Sequence, residues 1–161
     1  MVYWALVAND SLVHIFKIST EGGIAVELAR GSVSSPATSP DGALIVYERV
    51  DGQGTAAKAK IVVQKLEGGT PWQEIDVPSY YSAFSPGWTP DGRAITYLRT
   101  VGGATQIFMQ PLAGGSPVQL THFDTEPSDI VAYAWSSDGK KIAITRARAN
   151  DTDVVMFSGF Q

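Results

Sequence analysis

Thr38-Ser-Pro-Asp-Gly-Ala-Leu-Ile-Val-Tyr-Glu-Arg49 decides the reading of this chain, because it is said again twice. Trp88-Thr-Pro-Asp-Gly-Arg-Ala-Ile-Thr-Tyr-Leu-Arg99 and Trp135-Ser-Ser-Asp-Gly-Lys-Lys-Ile-Ala-Ile-Thr-Arg146 keep the same order of turn residues, β-branched run and terminal arginine. The aspartates Asp41, Asp91 and Asp138 are 50 and then 47 residues apart. A second phrase keeps the same time: Gly22-Gly23, Gly68-Gly69 and Gly114-Gly115 recur every 46 residues. Self-similarity at such a period marks a repeat architecture, in which each unit is one supersecondary piece stacked on the next.

Within each unit the residues read as strands. An Asp-Gly turn leads into Ile45-Val46-Tyr47, Ile95-Thr96-Tyr97 or Ile142-Ala143-Ile144, β-branched or aromatic runs of the kind that leave a hairpin turn. A polar loop follows (51–59, 101–105, 147–152), then a second apolar run over 60–66, 106–112 or 153–157. Val13, Ile61, Ile107 and Val154 correspond in these runs, with period-2 spacing inside each. The Gly-Gly turn leads to a weaker strand (25–28, 72–75, 117–120), and a last loop returns to the strand before the next Asp-Gly, such as 130–135. Helical periodicity is absent. The fold class expected is all-β, built as β-propeller blades of four antiparallel strands. The units fall at approximately 2–30, 33–77, 80–121 and 128–158 of a single domain or partial propeller spanning 1–161. That is about four blades, with the first lacking its opening strand and the last its closing one. Open edges carry unpaired backbone groups, so self-association or membership of a larger propeller is expected.

Composition narrows the chemistry. Hydrophobic residues make up 44% and charged residues 17%, which argues against disorder. The net charge of −4 has no clustered Lys or Arg, so neither nucleic acid nor an anionic membrane is an expected partner. With no cysteine, disulfides, thiolate nucleophiles and Cys-based zinc sites are excluded. The first residues have no basic stretch and too short an apolar run for a signal peptide or a membrane span, and the compartment, periplasm or cytoplasm, stays open.

The Ser-Pro-Asp-Gly phrase before an isoleucine-containing strand, with Trp88 and Trp135 three residues ahead of the aspartate, resembles the WD40-like PD40 repeat of TolB-type bacterial β-propellers. The Gly-Gly turns after Val63-Gln-Lys-Leu-Glu67 and Met109-Gln-Pro-Leu-Ala113, and Pro117-Val-Gln-Leu-Thr121, fit the same family. The resemblance implies a non-catalytic propeller used for protein contacts, as in the periplasmic TolB component of a cell-envelope complex. Related repeats serve as sensor or interaction domains on kinases and transcriptional regulators, or as the propeller half of prolyl-oligopeptidase-type peptidases. The tail from Asp153 to Phe160 looks like the end of such a C-terminal propeller. Ser137 departs from the pattern where proline is usual, Ser85-Pro86-Gly87 adds a turn, and the TolB N-terminal domain has no counterpart here.

A catalytic reading finds no support. No Gly-x-Ser-x-Gly elbow is present, and His14 and His122 have neither a local nucleophile nor ligand spacing for zinc. No calcium loop or phosphate-cradling loop is seen, and Gly102-Gly103 belongs to a hairpin. No catalytic, cofactor or metal residue is expected. The recurring aspartates are read as turn chemistry: Asp bonds nearby amides and Gly supplies positive φ. Trp88 and Trp135 are read as core aromatics.

Arg49, Arg99 and Arg146 are the polar feature that the blade does not require. Each lies eight residues after the aspartate of its repeat, and alternation places it on the face of Ile45 and Tyr47, Ile95 and Tyr97, or Ile142 and Ile144. A charge on an inward row needs a partner. That partner is an inter-blade carboxylate or loop carbonyl, or else the arginines form a partial ring that holds an acidic ligand or partner tail. Strand order places them toward the long-loop face, opposite the Asp-Gly and Gly-Gly turns. Tyr80, Tyr81, Phe123, Asp124, Glu126 and Asp129 share that face. Tyr80-Tyr81 is either an exposed anchor or the start of an inner strand, and the three acids either hold a cation or are simply solvated. The function expected is an interaction module that binds a protein or peptide on this face. The alternatives are the propeller portion of a larger hydrolase and a structural arc that completes a ring by self-association.

Overall fold

The computed structural model describes residues 1–6, 12–53, 56–77, 86–123, 129–148 and 151–159. The chain divides into two compact units, Met1–Tyr80 and Tyr81–Gln161. Fourteen strands, and no α-helix, make up the elements among the described residues.

The first unit holds two antiparallel sheets. One is β1 (Val2–Leu6), β2 (Val13–Lys17) and β3 (Val26–Gly31), in that spatial order. The other runs β4 (Val33–Thr38), β5 (Leu44–Asp51), β6 (Lys58–Lys65) and β7 (Gln73–Val77). Their facing sides bury Ile15, Val33, Ile45, Tyr47 and Val62, with Val13 and Leu28 packed around them. Each fully buried aliphatic side chain there contributes about 2 kcal/mol of transfer free energy, which is why the period-2 pattern fixes the register. One irregularity was not legible in the repeat. Register shifts between Ser34 and Ala37 on β4, where Ser35 adopts φ 52° and Pro36 has no N–H to give the ladder.

The second unit repeats the plan with β8 (Gly87–Trp88), β9 (Ala94–Val101), β10 (Ala104–Pro111) and β11 (Val118–Gln119) in one four-stranded sheet. A three-stranded sheet of β12 (Asp129–Trp135), β13 (Lys141–Arg148) and β14 (Asp151–Ser158) packs on it. Leu98 and Ile107 of one sheet meet Ile130, Ile142 and Ile144 of the other, and Phe123, Tyr133, Trp135 and Phe157 close the edges. These are β-propeller blades, two of four strands and two of three.

The three Asp-Gly phrases fold into the same turn. Asp41, Asp91 and Asp138 each accept the amide of the residue two places on, at 3.0 Å, and the intervening glycines have φ of 72°, 69° and 70°. The hydroxyl two residues before the aspartate completes the turn. Ser39, Thr89 and Ser136 each donate to that carboxylate at 2.6 Å and accept a strand amide at 2.9–3.0 Å. These hydroxyl bonds, and next the amides, hold all three carboxyls below their ordinary value of 3.8. The hairpin expected at Gly102-Gly103 is present: Val101 pairs with Ala104 and the glycines' φ values of 61° and 89° close a two-residue turn, so the polar loop expected over 101–105 narrows to those two residues.

Candidate functional site

The three arginines sit at corresponding ends of their strands, as their pairing shows: Arg49 lies opposite Lys60, Arg99 opposite Gln106 and Arg146 opposite Asp153. Arg49 belongs to the first unit and the other two to the second. Each guanidinium is held differently.

Arg49 is tied within its own blade. Its Nε and Nη2 donate to the two carboxylate oxygens of Asp51 at 2.9 and 3.1 Å, and Nη1 lies 2.9 Å from Glu74. Lys60 donates to the other Glu74 oxygen at 2.9 Å, with Asp76 at 3.8 Å. Glu74 sits on β7, the outer strand, opposite Val62, which brings its carboxylate diagonally over the Arg49–Lys60 rung. The Lys60 bond first, and the Arg49 bond next, hold the Glu74 carboxyl below its ordinary value. The pairing partner is therefore an intra-blade carboxylate network and not a neighbouring blade. The pair is only partly buried, with the Arg49 side chain 25% exposed and Glu74 33%, so it contributes modestly to stability.

Arg99 and Arg146 rest on aromatic faces. The Arg99 guanidinium lies 5.1 Å from the Phe108 ring centre in its own sheet. Arg146 is only 8% exposed and lies 3.8 Å from the ring of Phe123, which belongs to the segment leaving β11. Desolvation strengthens such a cation–π contact, to about 2 kcal/mol at buried sites. Phe123 also meets Phe157 of β14 edge-on at 5.4 Å.

The position of Phe123 is set by a residue that sequence reasoning passed over. Gln106, 2% exposed on β10, donates from Nε2 to the Phe123 carbonyl at 2.9 Å. Its Oε1 accepts the Phe123 amide at 3.0 Å and the Thr121 hydroxyl at 2.9 Å. Thr121 in turn accepts the Ile107 amide at 2.9 Å. One buried side chain thus pins the exit segment, and the pinned segment carries the ring beneath Arg146. The repeat gave no signal for this, since Lys60 and Asp153 stand where Gln106 stands.

The remaining candidates are placed as follows. Tyr80, Tyr81, Asp124 and Glu126 lie outside the described residues. Asp129 opens β12, its backbone opposite Ala147. His122 is exposed beside Phe123. His14 is buried on β2, stacks on Phe16 at 5.7 Å, and its Nδ1 lies 2.7 Å from a Glu27 oxygen, where only a protonated Nδ1 can donate to the carboxylate. Among the described residues no group of three or more His, Cys, Asp or Glu could hold a metal ion.

Blades of this kind, with the repeated Asp-Gly turn and its hydroxyl partner, define a β-propeller segment. No protein-family model matches the chain. The chain is 29% identical over 119 residues to the uncharacterized peptidase YuxL of Bacillus subtilis, a match covering 71% of this chain and 17% of that protein. It is 33% identical over 79 residues to the Tol-Pal system protein TolB of a Marinomonas species, covering 49% of this chain and 18% of that protein. The chain thus spans less than a fifth of the length of these curated relatives. Among solved structures, the β-propeller domain of the trilobed protease from Pyrococcus furiosus superposes with a TM-score of 0.58 at 20% identity, over 78% of this chain and 38% of that one. Over part of its length the chain is similar in sequence to TolB proteins and to peptidases, and its fold is that of a β-propeller segment.

Proposed function

We propose that this chain is a non-catalytic propeller segment that takes up a protein or peptide partner on its long-loop face, at the strand end of the second unit that carries Arg146. The observation that carries this reading is the preorganised unit of Arg146, Phe123 and Phe157, held by Gln106. A cation locked over a ring, beside an exposed His122, can meet a carboxylate or a chain of backbone carbonyls without first losing side-chain freedom. The matches to a TolB and to a peptidase, proteins of different roles that share a stretch of 79 to 119 residues with this chain, support a scaffold role. The test is a panel of immobilised peptides with free or amidated C-termini, probed with wild type and with Arg49→Met, Arg99→Met and Arg146→Met. Binding that prefers the free carboxylate, and that Arg146→Met abolishes while the circular dichroism spectrum of the folded protein is preserved, bears the reading out. Equal stability losses in all three variants with unchanged binding would refute it.

A second reading has its own support. The match to the Bacillus peptidase covers 71% of this chain, which favours a propeller joined to a hydrolase domain. A full reading frame carrying a nucleophile elbow beside the propeller would decide for it, and a frame carrying only blades would decide against it.

A further inference from the structure

The sequence carries four Asp-Gly pairs: Asp41-Gly42, Asp51-Gly52, Asp91-Gly92 and Asp138-Gly139. An Asp-Gly bond is prone to isomerise, because glycine has no Cβ to shield its nitrogen from the aspartate side chain. The reaction needs two freedoms: an amide that can give up its proton, and a carboxyl that can lose an oxygen. Three of the pairs lack both. The amides of Gly42, Gly92 and Gly139 donate to the carbonyls of Ser39, Thr89 and Ser136, each at 2.9 Å. The matching carboxyls each accept a hydroxyl at 2.6 Å and an amide at 3.0 Å, bonds that favour the ionised form, from which oxygen leaves poorly.

The fourth pair is built otherwise. Arg49 stands two residues before Asp51, where the turns have their hydroxyl. Its guanidinium holds both carboxyl oxygens at 2.9 and 3.1 Å, but the Asp51 side chain is 47% exposed, and an ion pair so open to water is a weak hold. Asp51 forms the last rung of β5 against β6. Amides alternate between the two edges of a strand, and on the Gly52 edge the Val50 amide still reaches the Ser32 carbonyl at 2.8 Å. The Gly52 amide, the next on that edge, has no partner among the described residues. Nor can a shielding residue replace Gly52: its φ is 85°, and a Cβ there would lie 3.2 Å from the Ala56 carbonyl oxygen.

We propose that Asp51-Gly52 is a site of spontaneous isoaspartate formation gated by Arg49, and that the other three pairs are protected by their own turns. The Gly52 nitrogen bonds to Cγ of Asp51, and one carboxyl C–O bond breaks. That oxygen leaves as water, with the amide proton and one proton from solvent. Water then adds to the α-carbonyl of the five-membered ring, the bond from that carbon to nitrogen breaks, and a carboxylate and a proton are released. The main chain now runs through the former side-chain carbonyl and is one carbon longer. The carboxylate is left on the α-carbon, away from Arg49, which keeps Glu74 as its partner. The site belongs to the first unit and does not involve Arg146, so it stands or falls apart from the reading above.

The 161-residue protein is incubated at neutral pH for several weeks and digested with trypsin, which puts the four pairs on separate peptides, 31–49, 50–58, 66–93 and 100–140. Electron-transfer fragmentation distinguishes isoaspartate from aspartate of equal mass and places it within each peptide. Isoaspartate at Asp51 is expected to exceed that at each other pair by about tenfold or more, since those pairs must first break two or three hydrogen bonds. Arg49→Met is expected to speed Asp51 by about two- to fivefold, the range an exposed ion pair allows, and to leave the other three unchanged. In guanidinium chloride, with the turns unfolded, all four pairs are expected to react at similar rates. Equal accumulation at the four pairs of the folded protein would overturn the proposal, as would no isoaspartate at Asp51 while the unfolded protein forms it. An Asp51 rate unchanged in Arg49→Met would overturn the gate. Acceleration at all four pairs in that variant reports its unfolding; folded and unfolded wild type then decide, and a ranking that guanidinium leaves unchanged would overturn the protection by the turns.

Discussion

Gln106→Met tests the central geometric claim, that one buried amide positions the Phe123 ring under Arg146. The substitution keeps length and volume but deletes three hydrogen bonds, of 2.9, 3.0 and 2.9 Å. At about 1 kcal/mol net for each, the loss comes to about 3 kcal/mol, with the Phe123 amide and carbonyl left short of partners. With a urea m-value of about 2 kcal/mol/M, the midpoint falls by about 1.5 M at unchanged slope. Phe123→Leu alone is expected to cost about 2 kcal/mol through the lost Arg146 and Phe157 contacts. If Gln106 acts by holding that ring, the double variant loses less than the two singles combined, by at least about 0.5 kcal/mol. Equilibrium urea unfolding followed by tryptophan fluorescence measures all four corners of the cycle. A Gln106→Met loss below about 1 kcal/mol, or strict additivity with Phe123→Leu, would refute the clamp.

Thr89→Val and Ser136→Ala remove the same turn hydroxyl from different surroundings. The buried Thr89 bond is expected to cost about 2 kcal/mol and the exposed Ser136 bond about 1 kcal/mol, both read from urea midpoints. Gly92→Ala forces a Cβ onto a φ of 69° and is expected to destabilise by about 1–2 kcal/mol in the same assay. The depressed carboxyls of Asp41, Asp91, Asp138 and Glu74 bind fewer protons folded than unfolded, so their contribution is complete above the ordinary carboxylate values of 3.8 and 4.5 and is lost as pH falls through the folded values. Melting temperature measured from pH 6 downward should therefore fall below about pH 4.5, and Asp91→Asn should flatten that fall.

Much of the fold was open to reading because blade chemistry is local. A hydroxyl, an aspartate and a glycine close a turn with partners within five residues, so the phrase that builds it recurs wherever the turn does. The hydroxyl of Ser39, Thr89 and Ser136 was repeated as plainly as the aspartate, and its place in the turn was passed over. Alternation along the strands likewise placed Ile45, Tyr47, Ile142 and Ile144 on buried faces. The bulge at Ser35 and Pro36 and the tight hairpin at Gly102 and Gly103 refine that plan without changing it.

The sequence by itself determined the all-β repeat, the turn units and the position of each arginine at a strand end, since each follows from a period or from near neighbours. Only the tertiary structure decided what holds those arginines. Glu74 reaches Arg49 from a strand 25 residues on, and Phe123 reaches Arg146 across two packed sheets. One repeated residue thus has three surroundings: a carboxylate network, the Phe108 face and the clamped Phe123 face. The physical reason is that a guanidinium satisfies its charge through whatever packs above it, and the packing partners are the part of each blade that does not repeat.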